Sequence, residues 1–302
     1  MSLLLMYLVL KPFHLSTLSG RLADASPGWG LLAIVLCLLQ LLMLAVRWSA
    51  IAEEKVLPLG PAIRLTFIGA FFGQVLPSTI GGDAARIVLL ARSGAGWAKA
   101  THSVVADRVI GLFMLAAIVL GCILMTFARV ADPLARLALL GVAAAAIAGA
   151  SVFLLLRVYP FSLLTRLPFG GHLAEASSLA LNVLRVPRTA AIVTVCSAAG
   201  QLVAVGIAWC CARAVASPVP LLDLLALVPP VLLIATAPVS IAGWGLREGA
   251  MATAFTLAGL QAQDGVLISL LFGLVYFAVG CVGGVTWIAS GGQRLAPQTE
   301  QK

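Results

Sequence analysis

Apolar residues run along this chain in long blocks: Trp29–Val46, Val109–Phe127, Leu137–Leu156, Thr189–Cys211 and Val266–Ile288. Each holds about 18 residues or more, enough for a helix to cross a hydrocarbon core of about 30 Å. No segment alternates apolar and polar positions over the roughly ten residues of an outer-membrane barrel strand. The pattern predicts an all-α, polytopic integral membrane protein.

Two further apolar runs break before they can cross. Ala62–Leu76 stops at Pro77-Ser-Thr-Ile-Gly-Gly-Asp83, and a short helical stretch follows to Arg92. Its length as a helix is only about 22 Å. Leu221–Ala237 contains Pro229-Pro230 and stops at Pro238-Val-Ser-Ile-Ala-Gly-Trp-Gly-Leu-Arg-Glu248, before another apolar helix to about Leu260. Both follow one order: apolar helix, proline, a hydroxyl residue, isoleucine, glycines, then an acid opening a new helix. Proline removes a donor and clashes with the preceding turn. Glycine allows the sharp reversal. Asp83 and Glu248 stand where a carboxylate caps the next helix or balances its positive end. Irregular backbone at membrane depth must line a protein-enclosed cavity, and paired interruptions in two halves point to a transporter site. The expectation is two re-entrant broken-helix hairpins, around 76–84 and 238–248, in inverted repeats; the alternative is two ordinary loops outside the membrane.

Composition agrees with a chain solvated by lipid. Of 302 residues, 62% are hydrophobic and 10% charged, and the mean hydropathy is +1.10. Soluble domains carry about 25% charged residues, so a water-soluble enzyme is excluded, as are disorder and coiled coil. The net charge of +8 comes from basic residues scattered singly between apolar runs, so no nucleic-acid partner is expected. With a cytoplasmic N-terminus and both breaks returning to the side they entered, thirteen basic residues face the cytoplasm and five face outward. That bias obeys the positive-inside rule. One transmembrane domain over 1–302 results, with a first half at 1–156 and a second at 189–290. A less apolar connector at 157–188, carrying Arg166, His172, Glu175, Arg185 and Arg188, is expected to be cytoplasmic with an interfacial helix. A polar tail covers 291–302. Met1–Leu10 is short for a span, so either the first helix continues through Leu18 or part of it precedes Met1. Gly69-x-x-x-Gly73 and Gly280-x-x-x-Gly284 are candidates for close helix packing, as is the alanine-rich run Ala143–Ala148.

Ionisable groups at membrane depth usually mark a pathway or a pair. Asp83 and Arg86, three residues apart, share one helical face, and Asp107 and Arg108 stand at the mouth of the next span. Arg247 and Glu248, as neighbours, are expected to face apart. Arg86 and Arg247, with the backbone of Gly81, Gly82, Gly243 and Gly245, are candidates to contact an anionic head group, because a guanidinium matches phosphate and helix N-termini favour anions. Ser78, Thr79 and Ser240 add hydroxyls. The plainer reading makes Asp83, Arg86, Asp107 and Arg108 caps and interface charges. Enzyme chemistry finds little support: His14, His102 and His172 are scattered, and no metal-ligand spacing, nucleophile elbow or nucleotide-binding loop occurs. No metal and no cofactor are expected. The six cysteines lie in apolar stretches and read as small buried hydrophobes.

Phe72-Gly-Gln-Val-Leu-Pro77-Ser-Thr-Ile-Gly81-Gly82-Asp83-Ala-Ala-Arg86 resembles a signature of a bacterial family: the flippase-like transmembrane domain of lysylphosphatidylglycerol synthases and stand-alone relatives. Ser103-Val-Val-Ala-Asp107-Arg108-Val-Ile-Gly111-Leu and Pro238-Val-Ser-Ile-Ala-Gly243-Trp-Gly245-Leu-Arg247-Glu248-Gly are similar to its second and third signatures, and Arg47-Trp48 also fits. The likeness spans roughly 28–290. It implies a multi-pass protein of the bacterial inner membrane that translocates an anionic or aminoacylated lipid between leaflets. Ala242 stands where another glycine is expected, and no aminoacyl-transferase domain follows Gly292, so lysyl-lipid synthesis is not implied. The alternatives are a membrane-embedded enzyme or accessory subunit of a lipid-linked pathway, or a partner that stabilises a biosynthetic complex. A membrane lipid is the expected substrate, with a second copy or a lipid-biosynthesis enzyme as partner.

Overall fold

The computed structural model describes residues 7, 11, 20–76, 80–130, 132–156, 170–237 and 243–290. The described residues form helices and no strands. Five helices are long and apolar enough to cross a membrane: α1 Pro27–Ala52, α4 Trp97–Gly121, α6 Pro133–Leu155, α8 Pro187–Ala214 and α11 Ala262–Ala289. Between them lie α2 Leu59–Val75, α3 Gly81–Leu90, α5 Ile123–Arg129, α7 Gly170–Arg185, α9 Leu221–Ala235 and α10 Leu246–Leu257. All five expected spans are present, one with a different start. The second begins at Trp97, twelve residues ahead of the apolar block, because helix propensity runs through Lys99–Arg108 even where hydropathy does not. Asp107 and Arg108 therefore sit in mid-helix, where its apolar block begins, rather than at the helix start. The chain is a multi-pass membrane protein.

The largest core cluster forms where α1, α8, α9, α10 and α11 meet, around Cys37, Ile207, Leu224, Leu227, Phe255 and Leu267. At one end of the bundle Arg21 donates to Asp264 at 2.6 Å, and Ser217 donates to the other oxygen of the same carboxylate at 2.6 Å. The starts of α1 and α11 and the end of α8 thus lie together, with α1 parallel to α11 and α8 antiparallel to both.

α2 and α3 form an antiparallel hairpin. Gly82 packs against Gly69 and Gly73, and Arg86 lies against Gly69. The opposite face of α2 packs on α11, where Cβ atoms built on Gly280 and Gly283 would lie 3.5 Å from the Ala70 carbonyl oxygen and 1.9 Å from that of Phe67. A Cβ on Gly284 would likewise meet the Phe71 ring, at 2.8 Å, so both expected glycine pairs lie at helix contacts, on the two sides of α2, and Gly283, outside either pair, is the tightest point. α10 also runs antiparallel to α11, with Met251 against Gly265 and Arg247 against Gly273. These registers bring the end of α2 and the start of α10 close to the level of Tyr276, in the middle of α11.

α9 continues through both prolines rather than ending there. Pro230 has no N–H to give the Ala226 carbonyl, and the Thr126 hydroxyl, 3.1 Å from both that carbonyl and the Cys122 carbonyl one turn earlier, is placed to donate to it instead. Thr126→Val, which keeps the shape and deletes the donor, is expected to destabilise the protein by about 1–2 kcal/mol; an unchanged thermal midpoint in detergent would remove this account of the tolerated prolines. The alanine-rich run of α6 departs from expectation. Ala143 is buried, but Ala144, Ala145 and Ala148 are exposed, because α6 packs mainly along one edge, on α4. His102 of α4 meets His172 of α7 at 3.2 Å, which ties the helix of the connector region to the bundle. No cysteine is paired; Cys37, Cys210 and Cys211 are buried and the others half-buried. Residues 157–169 of the connector and the tail 291–302 lie outside the described residues.

Candidate functional site

Two polar clusters lie at the starts of α3 and α10. In the first, Asp107 is fully buried on α4 and receives two arginines. Arg47 Nε of α1 donates to Asp107 Oδ1 at 2.8 Å, and Arg86 Nη2 of α3 donates to Oδ2 at 3.1 Å. Arg86 Nη1 also reaches Asp83 Oδ1 at 3.4 Å, and Arg108 Nε donates to Asp83 Oδ2. A second nitrogen of Arg47 donates to Ser197 on α8 at 3.3 Å. The Arg86 guanidinium lies 3.9 Å above the Trp48 ring, which is oriented by its own bond to Ser103 at 3.2 Å. Four helices thus converge on one ionic network, with three guanidinium groups against two carboxylates. The buried Arg47 and Arg86 balance the two carboxylates, and the surplus positive charge is that of Arg108, whose side chain is 54% exposed. Arg86 Nε is buried and has no hydrogen-bond partner among the described residues.

The second cluster sits at the start of α10. Gly243 and Gly245 hold φ of 79° and 87°, which L side chains rarely adopt, and so let the chain turn into the helix. The Gly245 N–H donates to Glu248 Oε2 at 2.6 Å, the cap expected of this acid. That bend carries the other oxygen toward Arg247, whose Nη2 donates to it at 2.8 Å. Arg247 and Glu248 therefore pair rather than face apart. Neighbours can do so here because Glu248 folds back over the helix start instead of projecting from its side. Ser269 of α11 completes the set: Arg247 Nε donates to its hydroxyl at 3.0 Å, and the hydroxyl donates to Glu248 Oε1 at 2.9 Å. Charge balances within this cluster.

Asp83 lies in the first turn of α3, and its oxygens accept from Arg86 and Arg108. Gly81 and Gly82 act through size, since a Cβ on Gly82 would stand 2.5 Å from the Gly69 carbonyl oxygen. Ser78, Thr79 and Ser240 fall outside the described residues. The sequence reading left Arg47, Ser197 and Ser269 out of the site. A signal for Arg47 was present: it closes an apolar run with a tryptophan beside it. The two serines carry none, since single hydroxyls inside spans are common. A further regularity emerges only in three dimensions. Each buried arginine is seated against a glycine, Arg47 on Gly111, Arg86 on Gly69 and Arg247 on Gly273, where a Cβ would come within 3.1, 2.8 and 2.4 Å of the side chain.

A family model described as the lysylphosphatidylglycerol synthase TM region matches residues 1–284. The chain belongs to this family. Membership agrees with the three signatures and gives the protein a function related to membrane lipid. Both polar clusters of this lysylphosphatidylglycerol synthase TM-region protein fall within the matched residues. No curated protein and no solved structure matches the chain.

Proposed function

We propose that this protein moves an anionic or aminoacylated lipid between leaflets, its head group passing the polar clusters at the two helix breaks while the acyl tails stay in lipid. The observation that carries the reading is the charge surplus of the first cluster, with Arg86 Nε buried and unpartnered. The surplus sits on the exposed Arg108, and a phosphate diester supplies both a counter-charge there and an acceptor for the free donor of Arg86. The second cluster supports the reading by its place. By register along α11, Ser269 and Gly273 lie on one side of Tyr276, and Gly280 and Gly283, which hold α2, lie on the other. The clusters then face a head group in succession, as two hairpins entering from opposite sides require. In this reading the chain performs no group transfer and needs no cofactor or metal.

The test is a proteoliposome assay with fluorescent phosphatidylglycerol, scored by accessibility of the outer leaflet and by lipid mass. Alanine at Arg86 or Arg247 would unpair buried carboxylates, so Arg86→Lys and Arg247→Lys are the informative variants. They keep the charge and lose the planar fork. Wild-type protein is expected to move the lipid unchanged, and each lysine variant to be slower by about tenfold or more, the equivalent of one charge-assisted hydrogen bond. Wild-type rates in both variants, or a lipid product of altered mass, would overturn the proposal.

A further inference from the structure

Between the two clusters lies a third polar contact. Tyr276 Oη donates to Gln40 Oε1, and Gln40 Nε2 donates to the Gly200 carbonyl at 2.9 Å. Three long helices meet there, each near its midpoint. The pair is connected to both clusters. Arg247 lies 5.3 Å from the centre of the Phe272 ring, which stacks on Tyr276 at 4.7 Å. On the other side, Arg47 is two helical turns along α1 from Gln40, on the same face and about 10 Å further on. Both residues are half-buried, in contrast to the sealed interior around Asp107 and Glu248.

We infer that Gln40 and Tyr276 form a transit site for the phosphate of an anionic lipid head group, at the level where the two hairpins end. This rests on the translocation reading above. An anion leaving the positively charged first cluster needs donors at mid-depth that hold it without trapping it. A phenol and a carboxamide supply such donors with no fixed charge. With each other they are satisfied, the Tyr276 hydroxyl spending its proton on Gln40. When a phosphate arrives, that hydroxyl and the Gln40 amide can turn to its oxygens, and re-form their bond when it leaves. Passage requires binding weak enough for release; two neutral donors meet that condition, and a third arginine would not.

The alternative role for such a pair is helix glue, and the rates and thermal midpoints of two substitutions at one position separate them. Gln40→Glu keeps an acceptor for Tyr276 but adds negative charge; Gln40→Leu deletes the bond and adds none. At a transit site for anions, Gln40→Leu is expected to slow phosphatidylglycerol movement by roughly fivefold to tenfold, and Gln40→Glu to be slower than that by about tenfold. As glue, the slowing in either variant would track a fall in its thermal midpoint, since losing the bond or placing a carboxylate in mid-bundle loosens the helices; at a transit site the rates fall in that order in protein that melts as wild type. Tyr276→Phe, which keeps the ring and its stack on Phe272, is expected to slow movement while leaving equilibrium binding of phosphatidylglycerol and the thermal midpoint unchanged. A Gln40→Leu defect equal to or greater than that of Gln40→Glu, slowing that tracks the thermal midpoint, or binding and stability lost together in Tyr276→Phe, overturns the transit site and leaves the translocation reading standing. No movement by wild-type protein overturns both.

Discussion

Replacing Asp107 by asparagine is expected to be the most damaging single change to the fold. The carboxylate is fully buried and receives Arg47 at 2.8 Å and Arg86 at 3.1 Å. Removing its charge leaves the buried Arg47 and Arg86 against Asp83 alone, a carboxylate that Arg108 also shares, in surroundings that solvate charge poorly. Breaking a buried pair from one side costs about 3–5 kcal/mol, a large part of the stability of an ordinary domain. Asp107→Asn should therefore melt far below wild type in detergent and accumulate poorly in membranes. Adding Arg47→Gln returns the cluster to its original surplus and should recover part of the loss, although the bond to Ser197 is gone. If Asp107→Asn melts like wild type, or the second substitution only adds damage, charge balance does not govern this network.

Gly283 sets the second large effect. A Cβ built there would lie 1.9 Å from the Phe67 carbonyl oxygen and 2.4 Å from its carbon. Both are backbone atoms of α2 and cannot rotate away, so α2 and α11 must separate. Overpacking of this kind costs about 1–3 kcal/mol for a methyl, and Gly283→Val should exceed Gly283→Ala. The damage should also reach the first cluster, because α2 carries the Gly69 and Gly73 face that seats Arg86 and Gly82. Lipid movement by Gly283→Ala is thus expected to fall even at temperatures where the protein remains folded. Gly141→Ala is the control, since a Cβ there meets nothing within 4 Å, and it should behave as wild type. Equal effects at the two glycines would remove the close approach of α2 and α11 as the cause.

Much of the site was legible before any coordinates. Asp83, Arg86, Arg247 and Glu248 stand out because acids and arginines beside Gly/Pro breaks are rare in apolar sequence, and the structure places each pair in direct contact. Hydropathy marks where α4 turns apolar and not where it begins, so the sequence does not show that Asp107 and Arg108 sit in mid-helix. The pairing of Arg247 with Glu248 was missed because helical spacing does not apply to a side chain that folds back to cap the first turn. Ser197, Ser269, Gln40 and Tyr276 were beyond reach for a different reason: their partners lie between 21 and 236 positions away in the chain.

The sequence by itself determined the solvent, the spans and the places where helices must break. Those follow from the free energy of moving side chains and peptide groups into hydrocarbon, which is summed locally along the chain. Only the tertiary structure decided which charges share a cluster, that one cluster holds a surplus and the other balances, and which glycine makes room for which arginine. Such matters depend on distances between helices, and coulombic and packing energies change within a few ångströms. No local property of the chain records them.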